Sequence, residues 1–141
     1  MTKSSIQDKV KNDIEEYGWH VLSVACEETP SFSYTVGFKE TFNHPEIIMS
    51  GLSIDLMHTL LNDLGNFIQQ GKVFEDGEVF NELIKDLPVK FIRVGDVALS
   101  EHLRVAEIYY DNSKFDALQC IWPDQNGVFQ NETDKGQEIF G

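Results

Sequence analysis

"PSFSYTVGFKETFNHPEIIMSGL", residues 30–52, decides the fold. Within it Phe32, Tyr34, Val36 and Phe38 fall at every second position. That spacing puts them on one face of a strand with a half-buried side. The closing "EIIMSGL" is mostly apolar and reads as another strand. Between the two lies a short polar link holding the single His-Pro-Glu triplet, His44-Pro45-Glu46.

Upstream, "WHVLSVAC" (19–26) reads as a strand and "EETP" as a turn, so the first two strands form a hairpin. Before them Ile6, Val10, Ile14 and Tyr17 recur at helical spacing, with Ser4 or Ser5 able to cap and Gly18 able to stop the helix. Downstream, Ser53 is placed to cap a long helix with Asp55 in its first turn. Its apolar stripe is Leu56, Leu60, Leu64, Phe67 and Ile68, and Gly71 closes it. "KVFEDGEVF" then reads as a hairpin about Asp76-Gly77, a pair suited to positive φ. "NELIKDL" reads as irregular chain or a short helix, and "PVKFIRVG" as a strand. Ser100 is expected to cap a short helix through "EHLRVAEIYY", and "FDALQCIW" is the last strand. The polar residues 130–141 are expected to form a loosely ordered tail.

The whole chain, 1–141, is expected to be a single domain of α+β class. The sheet should be curved and mainly antiparallel, with a split barrel as one form open to it, and about three helices packed around it. A chain of 141 residues, 41% hydrophobic, with 10 Phe, 4 Tyr and 2 Trp, has the material for a substantial core. Cys26 and Cys120 lie in apolar runs without zinc spacing, which favours buried, reduced thiols. The polar start is unlike a signal peptide, and no apolar run approaches the length of a membrane span. The expected location is the cytoplasm.

The charge narrows the function. With 24 acids against 11 bases the formal net charge is -13. Nucleic-acid binding relies on Lys and Arg neutralising phosphates, and no basic stripe is present. Anionic membranes are disfavoured on the same ground. A basic protein partner would be attracted, although plain solubility accounts for the same excess of acids.

Catalytic candidates are few. His44 and Glu46 form the best acid–base pair, since residues two apart on a strand face one side and His titrates near neutrality. The structural alternative, a stiffened turn with local backbone bonds, is favoured over catalysis. His20, His58 and His102 show no metal spacing with one another or with Cys, so no metal site is expected. A nonlocal site built from His20, His44 and a carboxylate is a further alternative. No Gly-x-Ser-x-Gly elbow, Walker loop or Gly-x-Gly-x-x-Gly occurs.

"YGWHV" (17–21), "FSYTVGF" (32–38), "HPE" (44–46), "GL" (51–52) and "LQCIWPDQNGVF" (118–129) together resemble the bacterial domain-of-unknown-function family numbered four-two-six-two. The likeness spans about residues 12–132. That family usually has Pro-Trp after its Gly-x-Phe turn, where this chain has Gln130-Asn131. The layout is also similar to small split barrels that bind flavin mononucleotide, a likeness of fold alone. In that reading Ser33 and Thr35 would face the phosphate and Trp122 the ring, with Lys39, Lys90 and Arg93 as the available cations.

The reading therefore leans away from an enzyme and toward a small acidic binding protein without a cofactor, most concretely an immunity-type antitoxin that sequesters a cationic toxin. Its expected contacts are Glu27, Glu28, Glu75, Asp76, Glu78, Trp122, Asp124, Glu132 and Asp134. The alternative is a flavin-binding or small-molecule enzyme using the His44 and Glu46 corner. Oligomeric state is left open.

Overall fold

The computed structural model describes residues 3–111, 114–123 and 140, with side chains from residue 8 onward. Helix α1 (Lys3–Tyr17) leads into the hairpin β1 (His20–Val24) and β2 (Phe32–Val36). A short helix α2 (Phe38–Phe42) precedes β3 (Glu46–Ser50), and the long helix α3 (Ile54–Gln69) follows. The second hairpin, β4 (Val79–Ile84) and β5 (Leu87–Arg93), is followed by α4 (Asp96–His102), α5 (Arg104–Tyr109) and β6 (Ala117–Ile121).

The strands form one sheet in the order β1-β2-β3-β6-β5-β4. Every neighbouring pair is antiparallel except β3 with β6, where Glu46 stands beside Ala117 and Ile48 beside Gln119 in parallel. The fold is α+β, as the order of elements implies. Among the described residues the sheet is open, with β1 and β4 as its two margins, and it is not closed into a barrel. Among the described residues five helices accompany it, where about three were expected.

Helices cover both faces. On one, Met57, Leu60, Leu61, Leu64 and Ile68 of α3 meet Val21, Ile47, Met49, Val89, Phe91, Leu118 and Cys120. On the other, Val10 and Ile14 of α1 and Leu103 and Ala106 near α5 meet Phe32, Tyr34, Val36, Ile48 and Ala117. Strand β2 is consequently buried on both sides, Ser33 and Thr35 included. Phe38 leaves the face it was expected to share with Phe32 and joins the α3 core instead. The cause is Gly37, at φ 119°, where the chain turns from strand into α2.

The second half departs from the sequence reading in three places. Asp76-Gly77 is a turn but not a hairpin, because residues 73–75 form no strand. Phe74 instead stacks on Phe91 at 4.5 Å between ring centres, and the Asp76 carboxylate accepts from the Arg93 amide at 2.9 Å. The hairpin turns at Lys85-Asp86, with Asp86 at φ 64°, so "NELI" is strand. Ser100 lies inside α4, which starts at Asp96 and breaks at Leu103 before α5.

Of residues 130–141, only Phe140 is among the described residues. It is buried at 3% exposure against Phe32 and His102, and its amide donates to Gln119 Oε1 at 2.7 Å. Both cysteines are free; Cys120 is buried, which raises its thiol pKa, and Cys26 is half-buried.

Candidate functional site

Glu46 opens β3 and is fully buried. Its carboxylate accepts from the Thr35 hydroxyl at 2.8 Å and from the backbone amides of Gly37, Phe38 and Lys39 at 3.1–3.2 Å. The Tyr110 hydroxyl is its fifth donor. The carboxylate therefore closes the start of α2, where the first turn of a helix leaves amides without partners. Burial pushes its pKa up, and the hydrogen bonds from Tyr110, Lys39, Thr35 and Phe38 oppose that rise. Tyr110 is held well above the usual phenol range by burial and by the Glu46 charge. Sequence reading missed Tyr110, because nothing local links positions 64 residues apart.

His44 is buried two residues earlier. Its Nδ1 lies 2.8 Å from the Pro45 carbonyl, and its Nε2 accepts from the Phe74 amide at 3.0 Å. A carbonyl only accepts and an amide N–H only donates, so the ring is neutral with its proton on Nδ1. Burial lowers its pKa, with the Pro45 bond and the Glu78 charge acting against the shift. The two polar groups of the His44 and Glu46 corner thus bond to separate parts of the surrounding frame. No hydrogen bond joins them among the described residues. His20 is likewise committed elsewhere, to Asp13 at 2.6 Å.

The other candidates fall into distinct places. Ser33 is buried with its hydroxyl 2.8 Å from that of Ser23, and Thr35 both donates to Glu46 and accepts from the Ile47 amide at 3.0 Å. Trp122 is half-buried and donates from Nε1 to the Ser50 carbonyl at 2.8 Å. Glu27 and Glu28 are exposed in the β1–β2 turn at one margin of the sheet. Glu75, Asp76 and Glu78 precede β4 at the opposite margin, so the expected contacts do not form one patch. Asp124, Glu132 and Asp134 lie outside the described residues.

At the β4 margin more acids collect than the sequence reading named. Glu82 on β4 and Asp86 in the turn after it are exposed there as well, while Glu78 pairs with Lys72 and accepts from the Glu75 amide. A small cleft of about 210 Å³ opens between α3 and β4. Asp63 and Glu82 stand at its walls, with the half-buried Phe67 and Leu83 beside them. Among the described residues, strand β4 pairs only with β5, with an irregularity between Phe80 and Ile84.

A family model described as "Domain of unknown function (DUF4262)" matches residues 13–135. The chain belongs to DUF4262. No curated protein and no solved structure matches it. Several residues that carry the resemblance hold this DUF4262 fold together: Gly37, His44 and Glu46 sit at one junction between β2, α2 and β3. Gln130-Asn131, where this chain departs from the usual DUF4262 pattern, lie outside the described residues. Among the described residues, no helix is long and apolar enough to cross a membrane, and no three His, Cys, Asp or Glu side chains gather as metal ligands.

Proposed function

We propose that this protein is an acidic binding module that captures a cationic protein, in its most concrete form an immunity-type antitoxin covering the cleft of a basic toxin. The observation that supports it is the β4 margin: an irregular edge strand with exposed Glu75, Asp76, Glu82 and Asp86 around it. An irregular, predominantly acidic edge, Lys85 in its turn notwithstanding, resists pairing with a second copy of itself. A basic partner meets the opposite field there, which speeds encounter. The cleft between α3 and β4 suits one Lys or Arg side chain from that partner. Its stem would lie along Phe67 and Leu83 and its head would meet Asp63 and Glu82.

Calorimetric titration and stopped-flow mixing with basic toxins encoded beside the gene test this reading. A complex is expected that weakens as salt rises, with Glu82→Lys cutting the association rate about tenfold. Absence of a complex with every such toxin, or a complex indifferent to both salt and Glu82→Lys, would overturn it.

A further inference from the structure

A second cleft, which adjoins the first at Asn66 of α3, runs along the outer margin of β1 and has a volume of about 890 Å³. Its walls are α1 and α3, and two imidazoles line it, His20 from β1 and His58 from α3. Neither belongs to the β4 margin or to the Glu46 junction.

The hydrogen bonds around these rings fix complementary tautomers. Asp13 Oδ2 lies 2.6 Å from His20 Nδ1. A carboxylate can only accept, so Nδ1 carries a proton, and Nε2 offers a lone pair in the neutral form of the ring. No hydrogen bond to that Nε2 is present among the described residues. On the other wall the chain of bonds starts from Trp19, whose Nε1 can only donate. It donates to Asn62 Oδ1 at 2.9 Å. That sets the amide orientation and turns Nδ2 toward His58 Nδ1, at 3.3 Å. His58 Nδ1 therefore accepts, and its Nε2 carries the proton. One imidazole offers an acceptor to the cleft and the other a donor.

A hydroxyl group is both donor and acceptor, so it is the group this pair recognises best. The rest of the lining agrees. Asn66 and Gln69 add amides, and Tyr17, 63% exposed, offers an aromatic face at the rim. The ionised groups are Lys9 and Asp13, 3.8 Å apart, and Glu16. They leave no surplus of positive charge for a phosphate or carboxylate. A cation would find no use for the His58 donor.

We propose that this cleft binds an uncharged polyhydroxylated small molecule, of the chemical class of a mono- or disaccharide, between His20 and His58. The test is heteronuclear NMR on the full chain with glucose, N-acetylglucosamine and maltose, each to tens of millimolar, where weak small-ligand binding registers. At least one sugar should shift the Tyr17, His20 and His58 signals in a saturable way. The free protein should show His20 protonated on Nδ1 and His58 on Nε2. His58→Ala, on an exposed helix face, should keep the folded spectrum and weaken binding about tenfold, the loss of one hydrogen bond. His20→Gln should do the same. The proposal fails if no sugar shifts these residues, if the tautomers are reversed, or if spermidine shifts them and the sugars do not.

Discussion

Glu46 gathers five donors onto one buried carboxylate. Glu46→Ala would take the acceptor from the Phe38 and Lys39 amides, while Gly37 keeps the Tyr110 hydroxyl at 3.0 Å, and each unsatisfied buried group costs about 1–3 kcal/mol. A loss of about 3 kcal/mol or more is expected in urea unfolding. Thr35→Val keeps the shape but removes one donor to Glu46 and the acceptor for the Ile47 amide, so about 1–2 kcal/mol is expected. His44 gives a pH signature. Its folded pKa is lowered by burial, while the unfolded ring titrates near the ordinary value of about 6.5. Below that value the unfolded chain takes up a proton that the folded chain refuses. Stability from this group is therefore complete above about pH 6.5 and falls as the pH drops toward the lower folded pKa. The raised pKa of Glu46 acts in the opposite sense, lowering stability as pH rises above about 4.5. Comparing the pH dependence of unfolding in the wild type and in His44→Gln isolates the first effect, and the variant should show the shallower fall between pH 7 and pH 5.

At the scale of the elements, two glycines hold the packing. A Cβ at Gly37 would stand 2.8 Å from the Gly18 carbonyl oxygen, and its φ of 119° is one that side chains rarely adopt. A Cβ at Gly65 would stand 2.5 Å from the Trp19 ring, which lies flush against α3. Gly65→Ala should push Trp19 away and break its bond to Asn62. Thermal unfolding should show a loss of about 1–3 kcal/mol, the usual size for overpacking, with a changed Trp fluorescence. Strand β2 and helix α3 were legible in the sequence because their apolar residues repeat with periods of two and of three to four over long runs. Helix α2 was not, because five residues are too few to show a period and its stability comes from Glu46, outside it. Asp76-Gly77 carries a true turn signal, but whether a turn joins two strands depends on what flanks it, and here Phe74 is drawn into the core by Phe91.

For the whole molecule, charge dominates. A net charge of -13 makes the compact state repel itself, and salt screens that repulsion. Raising NaCl from about 10 mM to about 150 mM should raise the melting temperature by about 2–4 °C. A falling melting temperature would mean that ion pairs such as Arg93 with Asp116 outweigh the repulsion. The excess of acids was plain from composition, but its placing at the β4 margin was not, since Asp63 and Glu82 come to line one cleft only through the packing of α3 beside β4. The pairing of Asp13 with His20 was equally hidden, because it joins a helix to the edge of a sheet across the turn between them.

The parallel seam between β3 and β6 has a kinetic consequence. Its two strands are separated by α3, a whole hairpin and two helices, so a growing polypeptide emerging from a ribosome carries two unjoined parts of the sheet, β1-β2-β3 and β4-β5, until β6 appears. The edges β3 of the one part and β5 of the other await the same late arrival. Joining such distant segments is slow, which makes β6 the piece whose insertion sets the pace of folding and whose delay leaves two open β-edges exposed to aggregation.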